Sequence, residues 1–209
     1  QAGHEVVPAP EMADAVVINT CAFIESATQE AINTIIEIGQ LKTEGNLKYL
    51  IVTGCLAQRY QEEIVKEMPE VDGVLVTGSY TEVVPAIEKL LQGEMVEAFA
   101  SIDTPELETG RILTTPERYA YIKIAEGCDN RCSYCIIPYL RGKYRSRQLD
   151  DVLYEARMLA ESGVKELIVV AQDTSRYGTD LPEHKRLLAT LLRELCKIDK
   201  LHWIRVHYL

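Results

Sequence analysis

The stretch Tyr119-Ala120-Tyr121-Ile122-Lys123-Ile124-Ala125 runs directly into Glu126-Gly127-Cys128-Asp129-Asn130-Arg131-Cys132-Ser133-Tyr134-Cys135. Its first seven residues are mostly apolar or aromatic and predict a strand over 119–125. The residues that follow place three cysteines in a C-x-x-x-C-x-x-C spacing on a loop. In α/β sheets and barrels the carboxyl ends of the strands carry the active site, so a cysteine loop in this position predicts a site at the mouth of an α/β fold.

Downstream, the pattern predicts a helix over 150–161, a strand over 166–171, a helix over 182–198 and a strand over 203–207. This β-loop-α-β-α-β run is half of what a closed barrel needs. Upstream, strands are predicted at 15–19, 49–53 and 73–76. Between the first two, Ala27, Ala31, Ile32, Ile35 and Ile38 recur at helical spacing, and Gly45 marks a stop. Further helices are predicted over 61–68 and over 81–91, the second ending at Gly93. Alternating short strands and longer helices predict a doubly wound parallel-sheet domain over 1–95. The pattern weakens over 96–118, where Pro105, Gly110 and Pro116 fall, and this stretch is expected to be a linker. The second domain is then 119–209.

Composition narrows the function classes. A net charge of -10 argues against a chain that clings to nucleic acid through clustered Lys and Arg. No apolar run approaches the length of a membrane span, and no signal peptide is evident, so a cytoplasmic address is expected. Six cysteines could form disulfides in a secreted protein, but three of them fall within eight residues, which suits metal binding in a reducing compartment. The chain opens at Gln1 without Met and stops at Leu209 just after a predicted strand; a fragment of a longer protein is expected.

Three soft thiolates from Cys128, Cys132 and Cys135 can grip one four-iron cluster and leave one iron open. S-adenosylmethionine can chelate that iron through its amino and carboxylate groups, next to an electron source. A zinc site would want a fourth Cys or His, and none lies nearby in the sequence. Tyr134, between the second and third cysteines, can pack near an adenine, against the alternative of plain packing within the fold. Gln172 and Asp173 follow the strand at 166–171, at the same edge as the cysteine loop. They are candidates for contacts to S-adenosylmethionine or substrate, against the alternative of a helix-capping turn. Arg141, Lys143, Arg145 and Arg147 form a basic run that is either a solvated surface or, through Arg145 or Arg147, a carboxylate site. Cys196 lies in an apolar helical pattern and is expected in the core. Cys21 and Cys55 each sit just past a predicted parallel strand, where strand ends converge; they are either a shared site or two small core residues.

The stretch Ile124-Ala125-Glu126-Gly127-Cys128-Asp129-Asn130-Arg131-Cys132-Ser133-Tyr134-Cys135-Ile136-Ile137-Pro138-Tyr139-Leu140-Arg141-Gly142-Lys143-Tyr144-Arg145-Ser146-Arg147 resembles the radical SAM signature of the methylthiotransferases. Ala171-Gln172-Asp173-Thr174-Ser175-Arg176-Tyr177-Gly178 resembles the branch of that family that modifies a ribosomal protein. Asn19-Thr20-Cys21 and Gly54-Cys55-Leu56-Ala57-Gln58 are similar to motifs of the family's amino-terminal domain.

The resemblance implies two 4Fe-4S clusters. One is held by Cys128, Cys132 and Cys135; the other is auxiliary, with Cys21 and Cys55 as two of its three ligands and the third upstream of Gln1. It implies that a methylthio group replaces a hydrogen on the β-carbon of an aspartate in the twelfth protein of the small ribosomal subunit. In the family's scheme one S-adenosylmethionine yields the 5'-deoxyadenosyl radical that abstracts the hydrogen, a second donates the methyl group, and the auxiliary cluster supplies or carries the sulfur. An electron donor is a further implied partner. With one ligand and half a barrel outside the chain, these 209 residues are not expected to complete the turnover alone. Two rival readings are the family's tRNA-modifying branch, against which the acidic balance and Gln172-Asp173-Thr174 weigh, and a non-catalytic zinc-binding module.

Overall fold

β-Branched residues build the first strand, β1 (Ala15–Thr20), which leads into the long helix α1 (Glu25–Glu44). Strand β2 (Tyr49–Gly54), helix α2 (Cys55–Glu67), strand β3 (Gly73–Leu75), a 3-10 turn at Tyr80–Glu82, helix α3 (Val83–Leu91) and strand β4 (Val96–Ala98) follow. The computed structural model describes residues 3–94, 96–98, 101–103, 113, 116 and 118–209. Among these residues the chain divides into two compact units, Gln1–Leu107 with Tyr139–Arg141, and Glu108–Pro138 with Gly142–Leu209.

The first unit is a four-stranded parallel sheet in the order β1-β2-β3-β4. Leu50, Ile51 and Val52 of β2 have no exposed surface, as expected of a parallel strand covered on both faces. Helix α1 buries Ala31, Ile35 and Gly39, a stripe at i, i+4, i+8, and ends where Gly45 takes the bond to the Leu41 carbonyl. Helix α3 buries Ala86 and Leu90, which join Ile51, Leu75 and Val96 in one core. The expected parallel α/β architecture is present. The change of direction in strand order that marks a doubly wound sheet is not found among these four described strands.

Two details differ from the sequence-based expectation. Helix α2 starts at Cys55, six residues before the expected start at Gln61; at Gln61 the backbone leaves helical geometry (φ 15°, ψ -100°), so only the second half was legible as periodic. Strand β4 adds an edge to the sheet in the stretch expected to be linker. The rest of the expected 96–118 linker lies largely outside the described residues.

The second unit runs β5 (Tyr119–Lys123), β6 (Ala125–Glu126), the start of helix α4 (Ile137–Arg141, of which Tyr139–Arg141 group with the first unit), β7 (Arg145–Ser146), α5 (Leu149–Glu161), β8 (Glu166–Val170), a 3-10 turn at Thr174–Arg176, α6 (Leu188–Leu195) and β9 (Trp203–Val206). Strands β5, β8 and β9 form a parallel sheet in that order, with a helix in each crossover, as a half barrel requires. Ile122, Val152, Ala156, Leu167, Val169, Tyr177, Leu191 and Leu195 are completely buried between sheet and helices. Burying each large aliphatic side chain among them stabilises the unit by roughly 1.5–3 kcal/mol.

The expected helix over 182–198 is a correction: only Leu188–Leu195 is α-helical. Gly178 adopts φ +90°, and the Leu187 N–H donates back to the Tyr177 carbonyl at 2.7 Å, so the chain before Leu188 is tied into a turn rather than a helix. Cys196, expected in the core, is exposed. It follows the last residue of α6, whose inward stripe is Leu191 and Leu195, and so points away from the core. Among the described residues no helix is long and apolar enough to cross a membrane.

Candidate functional site

The cysteine loop of the second unit closes on a narrow neck. Strands β6 and β7 pair antiparallel, Ala125 opposite Ser146 and Glu126 opposite Arg145. The Arg147 N–H donates to the Ile124 carbonyl at 2.9 Å, and the Cys128 N–H to the Gly142 carbonyl at 3.1 Å. Gly127 sits in the neck at φ +82°, where an added Cβ would collide with the Lys143 carbonyl oxygen. Only glycine lets the two backbones approach this closely.

The neck presents Cys128, Cys132 and Cys135 on one strand-following loop. Cys128 is buried, Cys135 half-buried and Cys132 exposed. A turn in which the Cys135 N–H donates to the Cys132 carbonyl at 3.0 Å holds the last two together. Tyr134, at the tip of this turn, is 90% exposed, with its ring in solvent. Among the described residues no three His, Cys, Asp or Glu side chains converge closely enough to hold a metal ion. The fold thus gathers the three thiols on one loop without drawing them into a single ligand shell. As a donor set, three thiolates on eight residues suit an iron-sulfur cluster.

The loop is fastened to the residues after β8. Asn130 Nδ2 donates to Asp173 Oδ2 at 2.9 Å, and Arg176 Nη1 donates to Asn130 Oδ1 at 3.1 Å. Ser175 Oγ donates to Asp173 Oδ1 at 2.6 Å, and the Tyr144 hydroxyl to the Asp173 carbonyl at 2.8 Å. The Arg176 guanidinium also lies 5.0 Å from the centre of the Tyr144 ring. Burial alone would raise the Asp173 carboxyl; hydrogen bonds from Ser175 and Asn130 and the Arg176 charge outweigh it and hold that carboxyl below its ordinary value. Burial pushes the Tyr144 hydroxyl up, so it acts as a donor.

Gln172 lies deeper at the same edge. Its Nε2 donates to Glu126 Oε1 at 2.6 Å, while its Oε1 is buried with no hydrogen-bond partner. An orphaned buried carbonyl costs about 1–3 kcal/mol, so this is an acceptor in want of a donor. Glu126, 8% exposed, also takes Lys123 Nζ at 3.2 Å.

The basic run divides. Arg147 does meet a carboxylate, an internal one: its Nη1 lies 2.6 Å from Glu155 Oε2 on α5 and also donates to the Lys123 carbonyl at 2.8 Å. Arg145 Nη1 donates to the Lys143 carbonyl at 2.7 Å, and Lys143 itself is exposed.

In the first unit, β1 and β2 pair in register with Thr20 opposite Gly54, so Cys21 and Cys55 are the next residues at two adjacent strand ends. Cys21 is exposed and Cys55 buried. Thr20 Oγ1 donates to the Thr53 carbonyl at 2.6 Å and accepts the Leu56 N–H at 3.2 Å, which ties the start of α2 to the end of β1. Arg59 Nη1 donates to the Ala22 carbonyl at 3.2 Å. Gly54, at φ +94°, permits the approach: a Cβ there would lie 2.5 Å from the Thr20 carbonyl oxygen.

Glu126, Asn130 and Arg176 were not among the expected site residues. Glu126 had a legible signal, an acid closing an apolar run just before Gly127; the roles of Asn130 and Arg176 depend on a tertiary contact that no local pattern encodes.

Residues 1–76 match the uncharacterized protein family UPF0004, and residues 122–209 match the Radical SAM superfamily. The chain is similar to the ribosomal protein uS12 methylthiotransferase RimO of Lachnoclostridium phytofermentans, at 51% identity over 99% of this chain and 47% of the relative. It is also similar to the protein of the same name from Clostridioides difficile, at 52% identity over 99% of this chain and 46% of the relative. The chain spans about half the length of the curated relatives it matches. In fold it is similar to the radical S-adenosylmethionine methyltransferase TsrM of Kitasatospora setae, with a TM-score of 0.59 at 16% identity over 90% of this chain and 42% of that one. The cobalamin-dependent S-adenosylmethionine radical enzyme OxsB gives 0.51 at 14% identity, over 88% of this chain and 28% of that one.

Proposed function

We propose that the chain belongs to the radical SAM methylthiotransferase family and that the whole protein attaches a methylthio group to the β-carbon of an aspartate in ribosomal protein uS12. The observation that carries this reading is identity to the RimO relatives at about half of all positions over nearly the entire chain.

In this reading Cys128, Cys132 and Cys135 hold the four-iron cluster that binds S-adenosylmethionine, and Cys21 and Cys55 supply two ligands to an auxiliary four-iron cluster. When bound, these groups supply the one-electron cleavage of the sulfonium and the sulfur for transfer. The chain's own residues bind and orient. Gly127 and the β6–β7 neck set where the cysteine loop leaves the sheet. Asn130, Asp173 and Arg176 hold the middle of that loop against the residues after β8. Gln172 offers the cofactor a buried acceptor through Oε1. Gly54 and Thr20 bring the backbone of Cys21 beside that of Cys55. A separate electron donor and a cytoplasmic address complete the reading.

Iron and acid-labile sulfide analysis after anaerobic reconstitution tests the ligand assignment. About four irons and four sulfides should be lost on combining Cys128→Ala, Cys132→Ala and Cys135→Ala in a protein that otherwise holds two clusters. One zinc and no sulfide would overturn it.

A further inference from the structure

We propose that Glu126 is a positioning residue that fixes the amide of Gln172 with its oxygen turned toward the bound cofactor. The proposal rests on the reading above, that this edge binds S-adenosylmethionine. A glutamine amide can present either its oxygen or its nitrogen to a given direction, and the two faces have opposite hydrogen-bond character. A carboxylate removes the ambiguity, because an ionised carboxylate only accepts. Glu126 Oε1 lies 2.6 Å from Gln172 Nε2, a charge-assisted bond at the short end of the range. The amide nitrogen is therefore committed to Glu126. The oxygen is left on the other side, buried and without a hydrogen-bond partner.

Glu126 is itself held. It belongs to β6, paired with Arg145 in the loop neck, its Oε2 is bridged to Lys123 Nζ at 3.2 Å, and it is 8% exposed. A buried carboxylate on a two-residue strand next to the cysteine loop is thus a rigid reference for the Gln172 side chain, two residues past the end of β8. The Gln172 oxygen is prepared for an N–H or O–H donor of the cofactor before the cofactor arrives, which lowers the ordering cost of binding.

The test is a double-substitution cycle read by equilibrium binding of S-adenosylmethionine to full-length, anaerobically reconstituted protein, with iron content and Tm measured on each variant. Glu126→Gln no longer dictates the amide orientation, and Gln172→Glu sets two carboxylates face to face. Each should weaken binding about tenfold in the iron-loaded protein. The exchanged pair, Glu126→Gln with Gln172→Glu, again places a donor against a carboxylate and leaves an acceptor oxygen outward, and should recover affinity to within about threefold of the parent. In turnover the single variants should raise KM for S-adenosylmethionine with kcat little changed. A role confined to stability would lower Tm or iron content while leaving the affinity of the loaded fraction unchanged, and that result overturns the proposal. Single variants that bind within twofold of the parent, or an exchanged pair no better than the singles, would also overturn it. If the parent protein itself fails to bind S-adenosylmethionine, the reading of the site fails instead.

Discussion

Asn130, in the middle of the cysteine loop, and Asp173, three residues past the end of β8, are joined by a 2.9 Å hydrogen bond across 43 positions of sequence. The contact converts a loop that could swing about its neck into one tied at a second point. Arg176 closes the arrangement by donating to the same asparagine.

Removing the clamp should loosen the loop without unfolding the sheet. Asp173→Ala and Arg176→Ala are expected to speed amide exchange across 129–135 while β5, β8 and β9 keep their protection. The partly exposed hydrogen bonds predict a stability loss of only about 0.5–1.5 kcal/mol in urea. Unchanged exchange in the loop would show that the neck alone fixes it.

The clamp also predicts an acid limb. Because the folded Asp173 carboxyl sits below its ordinary value, its contribution is complete above about pH 4, the unfolded range, and is lost as pH falls through the lowered folded value. Asp173→Asn should flatten that part of the urea midpoint against pH. An identical acid limb in parent and variant would contradict an ionised carboxylate in the clamp.

Gly127→Ala tests the neck. The methyl group meets the Lys143 carbonyl, and the backbone is in the left-handed region, so the variant is expected to lose about 2 kcal/mol or more in urea unfolding. A stability within 0.5 kcal/mol of the parent, by the same ~0.5 kcal/mol scatter of neutral surface changes, would show that the neck opens without cost.

Arg147→Ala should be structural in its effect. It removes the Arg147 charge from beside Glu155, 18% exposed, and the Arg147 donor to the Lys123 carbonyl, for a loss of about 1–3 kcal/mol. Its urea midpoint should fall, and substrate affinity of the folded protein should stay as in the parent. A selective loss of substrate affinity would instead make Arg147 the carboxylate-binding residue that its place in the basic run suggested.

Much of the fold was legible because the parallel strands are short apolar runs separated by periodic helices; β1, β2, β5, β8 and β9 all fall where those runs do. The two-residue strands β6 and β7 were not, since nothing as short as Ala125–Glu126 shows a period, and they exist only as each other's partner. Cys196 was misplaced because a helical apolar pattern does not say where the helix stops. The three clustered cysteines were legible from spacing. That Gln172 is held by Glu126, and that Arg147 faces Glu155 rather than a ligand, depends on residues brought together by β5, β8 and α5, and no local pattern carries that information.

Methylthio transfer to the ribosomal protein is tested by mass analysis of uS12 after incubation with the reconstituted full-length protein, S-adenosylmethionine and a reductant. One added methylthio group, located on an aspartate, is expected, and none when Cys132 is replaced by Ala. Unmodified uS12 with a protein that holds both clusters, or modification that persists in Cys132→Ala, would contradict it.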